Sequence, residues 1–288
     1  MLGAADIADR AVLPAITASS NGRLVALASR DSSRAHQLAS KHSFERVSAG
    51  YEAVLDDADV EAVYIPLVNN LHKQWTLRAI AAGKHVLCEK PLGMDAAEAE
   101  EISGAAKAGG VHVMEAFMYR FHPRMRAFVE KLRDPIYVHA TFGFALEGKA
   151  NYRFQAPLGG GALLDVGCYT VSVARWILGE PDEVLASAHV DGVDLTVSAL
   201  MQFPRGRSAS VWASFESAEE QELIAVTREA THRFDQPFTS MDPDPYQLMV
   251  ESFADSVFED RPVEIPPSES VANMKVLDRI REAAKASP

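Results

Sequence analysis

Short, continuous apolar runs alternating with helical stretches through the first 120 residues constrain this chain more than any other feature. Leu24–Ser29 reads as a buried strand and Ser32–Lys41 as a polar helix. Val60–Leu67 reads as the next strand, and His72–Ala82 as a helix stopped at Gly83. His85–Glu89 and Val111–Phe117 are further strands, separated by the Ala/Glu-rich helix Asp95–Ala108. Strands that are apolar on both faces belong to parallel sheets covered by helices on both sides. Right-handed crossovers between them predict a doubly wound, Rossmann-like α/β domain.

Beyond Tyr119 the period changes. A helix at Arg124–Leu132 precedes Ile136–Phe144, Val184–Asp191, Thr196–Phe203 and Ser208–Ser214, each with partial two-residue alternation. Asp191-Gly192 and Pro204-Arg205-Gly206 supply turns, so an antiparallel meander in an α+β domain is expected. The helix Ala162–Leu178 interrupts it and ends at Gly179 and Pro181. Helices at Tyr246–Glu259 and Ser268–Ala284 close the chain. At about 150 residues per domain, 288 residues make two. The change of pattern divides them into 1–118 and 119–288.

The net charge of −12 excludes bulk binding to a phosphate backbone and adsorption to an anionic membrane. No apolar run is expected to reach the roughly 18 residues that span a bilayer. The first ten residues carry Asp6 and Asp9 and no basic stretch before an apolar core, so no secretory signal is expected. Cys88 and Cys168 form neither a disulfide framework nor a zinc spacing. A cytoplasmic protein without a metal site is the expectation.

Gly3-Ala4-Ala5-Asp6-Ile7-Ala8 precedes a helix, and small residues there allow a pyrophosphate to approach the helix N-terminus. Ser29-Arg30 follows the next strand, where an acid would hold a ribose 2′-hydroxyl; Arg beside Ser suits a 2′-phosphate instead. Glu89-Lys90-Pro91 closes a parallel strand at the edge where such sheets bind ligands. Three glycines, Gly159 to Gly161, feed a helix in which Asp165 and Tyr169 stand four apart, on one face. Gly167 costs that helix about 1 kcal/mol against alanine, which close approach by a ligand or another backbone would explain.

The stretches AVYIPLVNNLHKQWTLRAIAAGKHVLCEKPL, MEAFMYRFHP and GGGALLDVGCYTVSVARW resemble the Gfo/Idh/MocA oxidoreductases. Within them the similarity is to the branch of NADP-dependent sugar and trans-dihydrodiol dehydrogenases that includes D-xylose 1-dehydrogenases. It runs from Gly3 to about Ser217 and returns at YQLMVESFADSV and SVANMKVLDRI. The resemblance implies NADP(H) as cofactor, with Gly3, Ala5, Asp6 and Ile7 at the pyrophosphate turn. Ser29, Arg30 and Arg34 would meet the adenosine end, and Pro66, Leu67, Asn69 and His72 the nicotinamide side. Glu89 and Lys90 would stand beside the reacting centre, and Arg153 would touch cofactor.

Such a protein would move a hydride between nicotinamide and a small sugar or polyol held between its domains. Tyr169 would take the hydroxyl proton, and Asp165 would anchor a neighbouring hydroxyl. An unperturbed phenol ionises near pH 10, so Lys90 would supply the positive charge that helps it. A homodimer or homotetramer would form through the C-terminal sheet. Reduction of a keto-sugar carried on a nucleotide is one alternative, and a non-catalytic NADP-binding regulator is another. Two departures from the family stand out. The glycine-rich hairpin after the FES segment is replaced by Glu219–His232, without glycine, and the strand that should precede Gly3 is absent. A central strand pairs on both sides, so a start several residues upstream of Met1 is expected.

Overall fold

The computed structural model describes residues 1–148 and 150–286. They fall into two compact units, each discontinuous in sequence. The first comprises Met1–Gly93, Ala97–His122 and Ser240–Ser270; the second comprises Met94–Ala96, Pro123–Thr239 and the chain from Val271 on.

In the first unit a π-helical turn leads into α1 (Leu13–Ala18), followed by β1 (Ala26–Leu27), α2 (Ser32–His42) and β2 (Arg46–Val47). Then come α3 (Tyr51–Leu55), β3 (Ala62–Ile65), α4 (His72–Ala81), β4 (His85–Cys88), α5 (Ala96–Gly109) and β5 (Val113–Glu115). Every pairing is parallel: β1 with β2, and β3, β4 and β5 in that order. The strands are apolar on both faces because both are covered. Val63, Ile65, Val86, Cys88, Val113 and Met114 are all 1% exposed or less. Each large one contributes about 1.5–3 kcal/mol through burial.

The expectation of an absent first strand needs correcting in detail. Leu2 makes a parallel bridge with Ala28. Its amide donates to the Tyr64 carbonyl at 3.0 Å, and the Gly3 amide donates to the Ala28 carbonyl at 2.7 Å. Met1 and Leu2 therefore fill the central slot for two residues and tie β1 to β3. The β1 strand, paired with β2, spans Ala26–Leu27 within the expected Leu24–Ser29.

The second unit contains α6 (Pro123–Glu130), β6 (Tyr137–Ala145), α7 (Cys168–Leu178), β7 (Glu183–Asp191), β8 (Val193–Phe203) and β9 (Arg207–Ser214). The strands β10 (Glu216–Val226) and β11 (Thr231–Asp235) complete a six-stranded sheet ordered β11-β10-β6-β9-β8-β7. Only β7 to β9 form the expected meander. The β6 strand instead pairs in parallel with β9, reached through the connection that contains α7, and α7 packs against both. The segment Glu219–His232 lies within a β10–β11 hairpin after all. Its turn needs no glycine because the Thr227 hydroxyl accepts from the amides of Glu229 and Ala230. The remaining helices are α8 (Pro245–Phe258) and α9 (Pro267–Ala286).

Ala156–Leu178 also corrects an expectation. Its 23 residues contain an 18-residue window of mean hydropathy 1.2, long and apolar enough to cross a membrane, yet 89% of that window is buried inside the fold. It is a core element, broken into 3-10 turns, a π-helical turn at Leu163–Gly167 and then α7.

Candidate active site

In the first unit the candidate residues gather by topology. Because all its strands run parallel, the residues just past their carboxyl ends lie along one edge of the sheet. Gly3 follows the two-residue stub, Ser29 and Arg30 follow β1, Pro66 and Leu67 follow β3, and Glu89 and Lys90 follow β4. Gly3 has φ +102°, and a Cβ there would stand 2.7 Å from Leu67 Cδ2, so the turn requires glycine. Ala5 and Ile7 are half-buried and Asp6 is exposed at the start of the helical segment that follows.

Arg30 is exposed in the β1–α2 turn, and Arg34 is exposed in the first turn of α2. The one carboxylate of that turn, Asp31, caps α2 by accepting the Arg34 amide at 3.0 Å. Glu89 is 8% exposed and accepts from the Tyr64 hydroxyl at 2.7 Å. Burial, reinforced by the Glu89 charge, pushes that phenol well above its ordinary pKa. Lys90 is half-buried, and Asn69 is buried in the 3-10 turn before α4.

His72, expected on the nicotinamide side, has both ring nitrogens beside backbone carbonyls. It is fully buried, with Nδ1 2.7 Å from the Pro91 carbonyl and Nε2 2.8 Å from the Leu67 carbonyl. Its ring thus bridges the loops that carry Leu67 and Pro91. Sequence reasoning missed Glu115, which is 1% exposed and accepts the Leu92 amide at 3.0 Å. Burial pushes its carboxyl up to about 7, against the opposing effects of the Ser270 hydroxyl, the Leu92 amide and Lys90.

The second unit brings Arg153, Asp165 and Tyr169 together. Arg153 Nε donates to Asp165 Oδ2 at 2.6 Å, and Asp165 is 4% exposed. Burial lowers the guanidinium pKa, but the Asp165 charge and hydrogen bond, with Tyr152 and Tyr169, together outweigh it and the net shift is upward. Tyr169 lies edge-on to Phe142 at 5.6 Å and tilted on Phe238 at 5.4 Å, a packing that fixes its ring. A Cβ on Gly167 would sit 3.0 Å from Leu163 Cδ1 in its own helical segment and 3.4 Å, an ordinary contact, from the Cβ of Ala213 in β9.

Two of the three glycines are dictated by their neighbours. A Cβ on Gly160 would run into the Arg153 carbonyl, and one on Gly161, at φ +116°, into the Asp194 carboxylate. That carboxylate accepts the Leu163 amide at 2.6 Å and caps the helical segment carrying Asp165 and Tyr169. Asp194 was not legible as functional. Among the described residues, no group of three or more His, Cys, Asp or Glu could hold a metal ion.

Two family models match the chain. One, described as an oxidoreductase family with an NAD-binding Rossmann fold, covers residues 1–117; the other, the GFO/IDH/MocA C-terminal domain, covers 101–233. A D-xylose 1-dehydrogenase (NADP(+)) of Haloferax volcanii is 36% identical over 99% of this chain and 96% of its own. A trans-1,2-dihydrobenzene-1,2-diol dehydrogenase of Mus musculus is 40% identical over 69% of this chain and 62% of its own. The structure of a 3-ketoreductase from Actinomadura kijaniata, in complex with NADP and TDP-benzene, superposes with a TM-score of 0.87 at 28% identity. It covers 98% of this chain and 96% of that one.

Proposed function

The chain belongs to the Gfo/Idh/MocA oxidoreductase family, and from that premise we propose an NADP(H)-dependent dehydrogenase or reductase acting on a CH–OH or C=O group of a small sugar or polyol. The observation that carries this reading is the shared carboxyl edge of the first unit's sheet. Gly3, Arg30, Leu67 and Lys90 all follow strand ends there, and ligands of open parallel sheets bind at that edge.

The residues fit the cofactor. Gly3 leaves room where a side chain would collide with Leu67, so Gly3, Ala5, Asp6 and Ile7 would line the pyrophosphate turn. Ser29, Arg30 and Arg34 would hold a 2′-phosphate, since Asp31 is engaged in capping α2. Pro66, Leu67 and Asn69 would border the nicotinamide. When bound, NADP(H) accepts or supplies the hydride. The chain's own residues manage protons and position. Tyr169 exchanges the hydroxyl proton, Lys90 contributes positive charge to the reaction, and Asp165, steadied by Arg153, holds a substrate hydroxyl. Residues 1–118 would serve the cofactor and 119–288 the substrate.

The reading extends to surroundings. Cys88 and Cys168 form no disulfide and are buried, which suits a reducing cytoplasm. One face of the second unit's sheet carries Leu185 and Leu200, cross-strand partners that are 62% and 41% exposed. An apolar pair held open on a sheet face suits contact with a second copy, hence a homodimer or homotetramer.

Turnover of an aldose, ketose and polyol panel with NADP⁺ and NADPH tests the proposal, beside a nucleotide-linked keto-sugar. The likeness to the 3-ketoreductase favours that last substrate as the second reading. NADPH binding without oxidation across the whole panel would overturn the enzyme in favour of a regulator.

A further inference from the structure

Two elements converge on a single peptide group. The carbonyl of the Pro91–Leu92 peptide lies 2.7 Å from His72 Nδ1, and the amide of that same peptide donates to Glu115 Oε1 at 3.0 Å. His72 opens α4, Glu115 ends β5, and the peptide they grip begins one residue after Lys90. Both side chains are essentially dry, at 0% and 1% exposed. A buried histidine and a buried acid are rare unless their polar atoms are used.

The other side of the imidazole adds a chemical constraint. Nε2 lies 2.8 Å from the Leu67 carbonyl. Neutral imidazole has one N–H and one lone pair, and a lone pair aimed at a carbonyl oxygen at that distance is repulsive. Two carbonyls at hydrogen-bond distance call for two N–H donors, hence an imidazolium. Its two bonds tie the loop after β3 to the turn after β4.

We propose that His72, carrying protons on both ring nitrogens, and Glu115 are positioning residues that clamp the Pro91–Leu92 peptide from its two ends and thereby aim Lys90. The role for Lys90 rests on the enzymatic reading above. Burial, the largest effect, and the facing Lys90 charge bring the His72 pKa below the ordinary histidine value, while the two carbonyls oppose them; the case for the second proton is the geometry of two carbonyl oxygens at hydrogen-bond distance. Glu115 is faced by Lys90, Glu269 and the Ser270 hydroxyl. Neither Glu115 Oε2 nor that hydroxyl makes a hydrogen bond of ordinary geometry, so the Leu92 amide is the firm bond of this carboxyl. The clamp explains why an acid stands in a strand otherwise fit only for apolar residues.

The test has two arms. Nitrogen-15 spectra of the whole protein labelled at histidine, read at about pH 7, should show His72 with both ring nitrogens protonated, assigned by its loss in His72→Gln. A lone-pair nitrogen on His72 would overturn the proposal. In the second arm, Glu115→Leu, which removes the acceptor at similar volume, should lower kcat about tenfold or more while NADPH affinity changes far less. Glu115→Gln, which keeps an oxygen for the Leu92 amide, should recover most of that loss. Wild-type kcat in Glu115→Leu would also overturn it. If that variant does not fold, the proton count on His72 decides. A wild-type protein without any turnover would sink the enzymatic reading, and the same spectra would still show whether His72 carries the two protons that the clamp requires.

Discussion

Breaking the Arg153–Asp165 pair from each side should give unequal results. The two side chains are 31% and 6% exposed and meet at 2.6 Å. Arg153→Ala strips the guanidinium from a nearly dry carboxylate. Breaking a buried pair in this way costs about 3–5 kcal/mol, and partial exposure of the arginine points to the low end, about 3. Asp165→Asn keeps an oxygen for Arg153, whose guanidinium also reaches water through its exposed third. The loss is then the charged part of one hydrogen bond, about 1 kcal/mol. The double variant leaves no stranded charge and should cost about 1–2 kcal/mol, less than the sum of the singles by about 2. Urea unfolding of the four proteins at neutral pH, with m-values compared, measures this cycle. Asp165→Asn proving as costly as Arg153→Ala, or a strictly additive double variant, would refute the argument.

On the proposed reading, in which the exposed Arg30 guanidinium would hold the 2′-phosphate, Arg30→Ala should weaken NADPH by about 1.5–3 kcal/mol and NADH far less. Cofactor fluorescence titrations check this, and equal losses would remove the assignment. Tyr169→Phe should cut turnover by about 10²–10⁴-fold with NADPH affinity nearly intact, and more than a tenth of the wild-type rate would show that another group moves the proton. The folded Glu115 carboxyl takes its proton near 7 and the unfolded one near 4.5, so its pKa is raised by folding. Its contribution to stability is full below about pH 4.5 and is lost, at about 1.4 kcal/mol per pH unit, as pH rises to about 7. Urea midpoints of wild type against Glu115→Gln across that range should diverge accordingly; parallel curves would count against it.

The doubly wound half was legible because its strands are covered on both faces. Val63, Ile65, Val86 and Val113 leave no polar alternation, and a continuous apolar run admits few other placements. The second sheet was only half legible for a reason of the same kind. Alternation reports which face of a strand is buried and says nothing of its neighbour's direction, so β6 beside β9 reads alike parallel or antiparallel. In β10 the signal is also drowned: Glu216, Glu219, Glu220 and Glu222 crowd its first half, and burial begins in earnest only at Leu223 and Ala225. The candidate site divides along a similar line. Lys90 and Tyr169 sit in local patterns, a strand end before proline and a helix four residues past an acid. The groups that hold them in place, Asp194 on Leu163 and Glu115 on Leu92, act across 31 and 23 residues of chain, where no spacing rule reaches. One of the two still left a trace. An acid inside VHVMEAF, between residues that must all be buried, costs several kcal/mol unless something takes its hydrogen bonds. A polar residue that a buried strand has no reason to tolerate marks a contact that cannot itself be seen in the sequence.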